Sequence, residues 1–142
     1  MEYLEIINED GSSTGETVSR KDAHKKGLWH LCIHLWIINS KHEILIQKRS
    51  ALKELHPGLW DLSVAGDDAV TAVKKECFEE IGINIDEQKL EHLFDIKYTG
   101  ELNNGKFIKR EFTKIFLINL DVDLNQLKLQ KEEVDAVKLI NY

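Results

Sequence analysis

Three glutamates lie close together in the stretch 67–83, DDAVTAVKKECFEEIGI: Glu76, Glu79 and Glu80, at i, i+3 and i+4. On a helix, ~100° per residue sets them within about a 100° arc of one face, on adjacent turns. Oxygen ligands so placed suit a hard divalent cation, which would offset their mutual repulsion. The same spacing also describes a solvated acidic face balanced by Lys74 and Lys75. Val70, Val73, Cys77 and Ile81 fall on the adjoining side and form an apolar stripe. Asp67 and Asp68 suit the helix N-terminus, where acceptors cap free N–H groups and meet the positive end of the dipole. Gly82 suits the left-handed position past the last turn.

The spelling of residues 75–83, KECFEEIGI, resembles the second half of the Nudix box, Arg-Glu-apolar-any-Glu-Glu-any-Gly-apolar. The resemblance implies a helix whose glutamates hold Mg²⁺ against a diphosphate, with Mn²⁺ as the substitute cation. Lys75 stands where the pattern has arginine, so a point charge replaces a planar guanidinium fork. In the first half of the pattern a glycine, five residues, an acidic residue and seven residues precede the arginine. Counting back from Lys75 puts Asp67 at the acidic position with Gly66 immediately before it. About five loop residues are therefore expected to be absent between 66 and 67. The pattern is intact on both sides, which favours a missing segment over a natural shortening, and a chain break or strained connection is expected there.

The chain has 142 residues, enough for one domain with one core, here 1–142. Its 19 basic and 25 acidic residues give a net charge of −6, which argues against broad nucleic-acid binding. An acidic protein still binds an anionic substrate where metal and local Lys or Arg do the work. No apolar run is long enough for a membrane helix, and the start, MEYLEIINED, lacks the basic and apolar regions of a signal peptide. Cys32 and Cys77 each lie in an apolar pattern and lack CxxC spacing, so buried reduced thiols are expected rather than a disulfide or zinc site. These features point to the cytoplasm.

Strands are expected over 3–7, 29–39, 43–49, 59–65, 93–99, 107–120 and 136–140, with the second and third paired as a hairpin. Helical turns fit 19–25 and 131–134. The segment 50–58 reads as a loop, 121–129 as polar linker, and Asn103-Asn104-Gly105 as a turn. Strands around one strong helix make an α/β protein with a mixed sheet. The resemblance sharpens this to a Nudix-type α/β/α sandwich with one acidic catalytic helix. In that fold a further helix usually follows the last strand, and the sequence reaches Tyr142 before one.

The resemblance extends to the flanks. Arg20, His24, Gly27 and His30, then the stretch LIQKRS at 45–50 and PGLWD at 57–61, look like the Nudix proteins nearest isopentenyl-diphosphate isomerase. It implies metal ligation by Glu76, Glu79 and Glu80. It implies catalysis by Glu79, Glu76 or Glu111, with the general base left open among the glutamates. Lys48, Arg49 and Lys75 are the expected contacts to substrate phosphates. His24, His30 and His34 read as packing or hydrogen-bonding residues, and Trp29, Trp36 and Trp60 as core or rim.

Three activities compete. The first is Mg²⁺-dependent cleavage of a diphosphate in a nucleoside diphosphate-linked small molecule. The second is isopentenyl-diphosphate isomerisation, but Ala65-Gly66 stands where that family has a Cys-Gly-His-Pro stretch, and alanine has no proton to shuttle. The third is a non-catalytic nucleotide-sensing module. The partner expected is the substrate alone, without nucleic acid or membrane; a homodimer is compatible with the sequence.

Overall fold

The computed structural model describes residues 3–67 and 70–142, with backbone only at 67, 70 and 71. Among the described residues are strands β1 (Tyr3–Ile7), β2 (Ser13–Ser19), β3 (Trp29–Ile38), β4 (Glu43–Arg49), β5 (Trp60–Asp61), β6 (Val64–Asp67), β7 (Glu91–Leu102), β8 (Phe107–Asn119) and β9 (Val134–Asn141). Two helices accompany them, α1 (Arg20–Lys26) and α2 (Val70–Ile81). The strands form one nine-stranded mixed sheet.

β3 is its centre. One edge of β3 runs parallel to β8 from Trp29↔Arg110 to Ile38↔Asn119, and β7 lies antiparallel to β8 beyond it. The other edge is shared among three strands. β1 meets it at His30, β6 covers Cys32 to Leu35, and β4 touches it at Ile38↔Ile44 alone. The expected β3/β4 hairpin is therefore open. β4 diverges from β3 and continues the sheet with β5 and β9.

The divergence is held by Ser63, which is fully buried just before β6. Its hydroxyl accepts from the Ile37 amide at 2.9 Å and donates to the Leu45 carbonyl. One side chain thus satisfies two backbone groups that a closed hairpin would have paired with each other. Gln47 adds a second tie, its amide donating to the Ser63 carbonyl at 2.8 Å.

The main core lies where α2 covers this junction. Ile33, Leu35, Ile37, Leu45 and Val64 from the sheet meet Val73, Cys77 and Ile81 from the helix, all almost fully buried. Burying each of the large aliphatic side chains contributes about 1.5–3 kcal/mol. Three members of the expected stripe therefore face the core, while the side chain of Val70 lies outside those described. The helix is shorter than the expected 67–83. Asp67 belongs to β6, paired with Cys32, and Asp68 lies outside the described residues. The Gly66–Asp67 peptide is ordinary strand backbone in register with Ile33 and Cys32, so the strained connection expected there does not fall on this peptide. At the other end Gly82 does take a left-handed φ of 78°. A Cβ there would also come within 2.9 Å of the Lys128 amide nitrogen.

α1 is a full helix where only a turn was expected, capped by Ser19 and ended by Gly27 at φ 66°. Ala23 packs with Leu4 and Ile6 in a smaller core. His24 stacks on Phe107 with ring centroids 4.2 Å apart and meets His30 edge-on at 5.1 Å. The strand expected over 59–65 divides into β5 and β6 around Ser63, and 121–129 contains one tight turn at Leu124–Gln126. Both cysteines are free and buried.

Two predictions arise from this packing. Ser63→Ala leaves the Ile37 amide and the Leu45 carbonyl buried without their partner, and stability should fall by about 1–3 kcal/mol in urea unfolding. A loss within about 0.5 kcal/mol, the range of an ordinary surface substitution, would mean the strands close on each other without it. The second concerns acid. Burial, reinforced by the charges of His30 and Arg20, pulls the pKa of His24 from 6.5 to about 4, with Glu111 opposing. Between those pH values the unfolded chain binds the proton that the folded chain refuses, so stability is lost as pH falls through this window. His24→Phe should flatten the dependence of Tm on pH between 6.5 and 4. An unchanged slope would assign the acid sensitivity to other groups.

Candidate active site

The parting of β3 and β4 opens a cleft of about 860 Å³. Its floor is the face of β8 and β3 that carries alternate side chains. Glu111, Thr113 and Ile115 stand in register with His30, Cys32 and His34. On β6, Ala65 continues the rung of His34. One wall is the glutamate face of α2, and the other comes from β4 and the loop after it.

The cleft gathers Glu76, Glu79, Glu80, Glu111, Lys75 and Arg49. Lys48 does not line it. Successive strand residues point to opposite faces, so Gln47 and Arg49 turn inward and Lys48 turns to the reverse side. Lys48, expected as a substrate contact, therefore stands outside the cleft, and its neighbour Gln47 lines it. Gln47 was readable from the period-2 pattern, but a neutral amide carried no charge signal beside the adjoining Lys-Arg pair.

Helix α2 delivers its three carboxylates to unequal depths. Glu79 is exposed and pairs with Lys75 at 3.8 Å across one turn. Glu76 packs against β6, its side chain 3.6 Å from where a Cβ on Gly66 would stand. Glu80 is deepest, and the Gln47 amide reaches its carboxylate at 3.4 Å. Burial first, then the charge of Glu76, pushes the Glu80 pKa up to about 7. The like charge of Glu76, expected from the helical spacing, thus adds to burial at Glu80.

Four cations of the cleft have an anion beside them, Lys75 with Glu79 and three others. Arg49 approaches Asp61 at 3.6 Å and donates to the Leu55 carbonyl at 3.1 Å. Lys53 is bonded to Glu133, and Lys109 lies 3.7 Å from Glu111. The histidines read as packing residues do pack, yet His24, His30 and His34 also line the cleft. Burial lowers the pKa of His34 and keeps His30 low against the pull of Glu111. Cys32 beside Glu111 is raised far above a reactive thiol by burial and then by that carboxylate. It is a neutral wall residue.

The donor set fits a hard divalent cation. Glu76, Glu79 and Glu80 offer oxygen ligands, and a cation among them would offset the burial and the like charge that raise Glu80. Among the described residues, no three His, Cys, Asp or Glu side chains already converge as a closed ligand cage. The carboxylates share the cleft, and a cation would draw them together.

Comparison with known proteins agrees with this arrangement. The NUDIX domain model matches residues 28–142. The chain is 33% identical over 149 residues to Nudix hydrolase 3 of Arabidopsis thaliana, covering 99% of this chain and 19% of that protein. It therefore spans about a fifth of that relative's length. An uncharacterized Nudix hydrolase of Listeria monocytogenes is 36% identical over 145 residues, with 99% of this chain and 80% of the relative covered. The isopentenyl-diphosphate isomerase of Rhodobacter capsulatus is a more distant relative, 32% identical over 106 residues, with 71% of this chain and 58% of the relative covered. In fold the chain is similar to a crystal structure from Deinococcus radiodurans at a TM-score of 0.69 and 19% identity, covering 99% and 83% of the two chains. Family match, mixed sheet and glutamate helix agree: this chain belongs to the Nudix family.

Proposed function

We propose that the cleft hydrolyses the diphosphate linkage of a nucleoside diphosphate-linked small molecule, with Mg²⁺ or Mn²⁺ as cofactor. The observation that carries this reading is one cleft holding Glu76, Glu79 and Glu80 together with Arg49, Lys75 and Glu111. Glu76, Glu79 and Glu80 would hold the cation. When bound, it supplies neutralisation of negative charge on the phosphoryl oxygens, where charge develops during transfer.

The chain's own groups supply the remainder. Water attacks one phosphorus and the other phosphate leaves. A carboxylate among Glu76, Glu79 and Glu111 accepts the water's proton. Arg49 can offer two N–H groups to one phosphate, exchanging its link to Asp61 for a substrate contact. Lys75 can do the same as a point charge in place of its link to Glu79. The floor of Thr113, Ile115 and Cys32 keeps the reacting groups in a partly apolar setting, which strengthens each of these interactions.

Two measurements test this reading. Replacing Glu79 or Glu80 with Gln keeps the shape and removes a charge and a good ligand. Release of nucleoside monophosphate or phosphate should fall at least about 100-fold, since each ~1.4 kcal/mol of lost transition-state stabilisation is tenfold in rate. Metal-free stability should hold or rise slightly, because a like-charge pair is relieved. Full turnover with full Mg²⁺ affinity in Glu80→Gln would move the metal site elsewhere. The isomerase alternative is tested separately. Ala65 lies in the cleft wall with no acid to give, so isopentenyl diphosphate should yield no dimethylallyl isomer. Appreciable isomer in NMR would reverse the assignment.

A further inference from the structure

The histidines of the cleft differ in what holds their rings. The Nδ1 of His30 lies 3.3 Å from the Leu28 carbonyl, and its ring meets His24 edge-on. His24 in turn stacks on Phe107. His34 lines the same cleft. Among the described residues, none hydrogen-bonds to its imidazole, pairs with it as an ion or stacks on it.

Its place on β3 explains the difference. Alternation puts His34 on the same face as Cys32 and His30. Its cross-strand neighbours on that rung are Ala65 on β6 and Ile115 on β8. Directly opposed side chains have Cβ atoms about 4.5–5.5 Å apart, so these two are the groups that flank the ring. A methyl on one side and a hydrocarbon chain on the other offer neither donor nor acceptor. The ring is half-buried between them. Its polar atoms are left to whatever enters the cleft.

The charges that act on His34 are Glu111 and Lys109 from β8 and Asp61 from β5, and burial outweighs them to keep its pKa below 6.5. At neutral pH the imidazole is therefore uncharged, with one N–H to donate and one nitrogen to accept. Asp61 is also the carboxylate beside Arg49. An anion that draws Arg49 away from Asp61 thus arrives within electrostatic reach of His34.

We infer that His34 is a substrate-contacting residue, its ring N–H donating to a phosphoryl oxygen of the diphosphate held by Arg49. This rests on the proposed diphosphate chemistry for the identity of the ligand. It adds a directional neutral donor to Arg49 and Lys75, which must each leave a carboxylate to reach the substrate.

The experiment is calorimetric titration with methylenediphosphonate, a diphosphate analogue whose bridging carbon prevents cleavage, in Mg²⁺ buffer. His34→Phe keeps the bulk of the ring and removes both nitrogens. It should bind at least about tenfold more weakly than the wild-type protein, the ratio that ~1.4 kcal/mol gives for a lost hydrogen bond to a charged group. His34→Asn and His34→Gln place an amide near the lost Nδ1 and Nε2 respectively, and one of the two should bind more tightly than His34→Phe. In NMR of the wild-type protein the ring nitrogens of His34 should shift as the analogue binds, while those of His92, paired with Asp95 on β7, stay in place. A loss under tenfold in His34→Phe, no recovery in either amide variant, unmoved His34 nitrogens, or no wild-type binding at millimolar concentration would each overturn the contact. A protein that meets every expectation but cleaves no diphosphate retains the contact and loses the hydrolase reading, so the two claims fail separately.

Discussion

The structure depends on the point where β4 leaves β3. Two long neighbouring strands would ordinarily zip together, because each unpaired amide and carbonyl in a buried sheet is costly. Here the ladder stops at Ile38↔Ile44 and the buried Ser63 hydroxyl stands in for the next pairing. That substitution allows β6 to occupy the edge of β3 and lets β4 swing away. The space between becomes the cleft, and α2 closes its back through Val73, Cys77 and Ile81. A single buried hydroxyl is a small thing energetically, yet it settles which strands are neighbours.

The cleft so formed is electrostatically balanced in its resting state. Arg49, Lys53, Lys75 and Lys109 each lie beside a carboxylate. Most of these links are partly solvated, and such pairs are worth little to stability. Their weakness is what the proposed function needs, since it lets the cations exchange to an incoming anion. The exception is the pressure at Glu80, where burial and Glu76 together disfavour charge. A divalent cation is the natural counterweight, and this is the physical content of the glutamate spacing in the family box. The lysine at 75 keeps the positive charge of the box arginine but holds Glu79 by one point contact instead of two.

The relatives include both Nudix hydrolases and an isopentenyl-diphosphate isomerase, so family membership does not choose a substrate. The residues that distinguish between those chemistries lie on the floor. Ala65, on the same rung as His34, carries no ionisable group. Cys32 is close by, but its buried, neutral thiol beside Glu111 is held far from ionisation.

Much of this was legible in the chain itself. The 3.6-residue period of 70–81 placed both the carboxylate face and the buried stripe, and the turn at Asn103-Asn104-Gly105 fixed the β7/β8 hairpin through local backbone preference. These are short-range properties, carried by neighbours in sequence. β2 escaped because an exposed edge strand of Ser, Thr and Gly shows no apolar alternation. The inward turn of Gln47 in place of Lys48 depends on which face of β4 meets the cleft, and the sequence shows only that the two differ. Likewise the family resemblance drew attention to Glu111, but only the parallel pairing of β8 with β3 sets it beside His30 and Cys32. The sequence by itself determined the acidic helix, the long apolar strands and the family's charge pattern, because periodicity and motif spacing are local. The tertiary structure alone decided which charges share a cleft, because strand order and the Ser63 bridge join residues far apart in the chain.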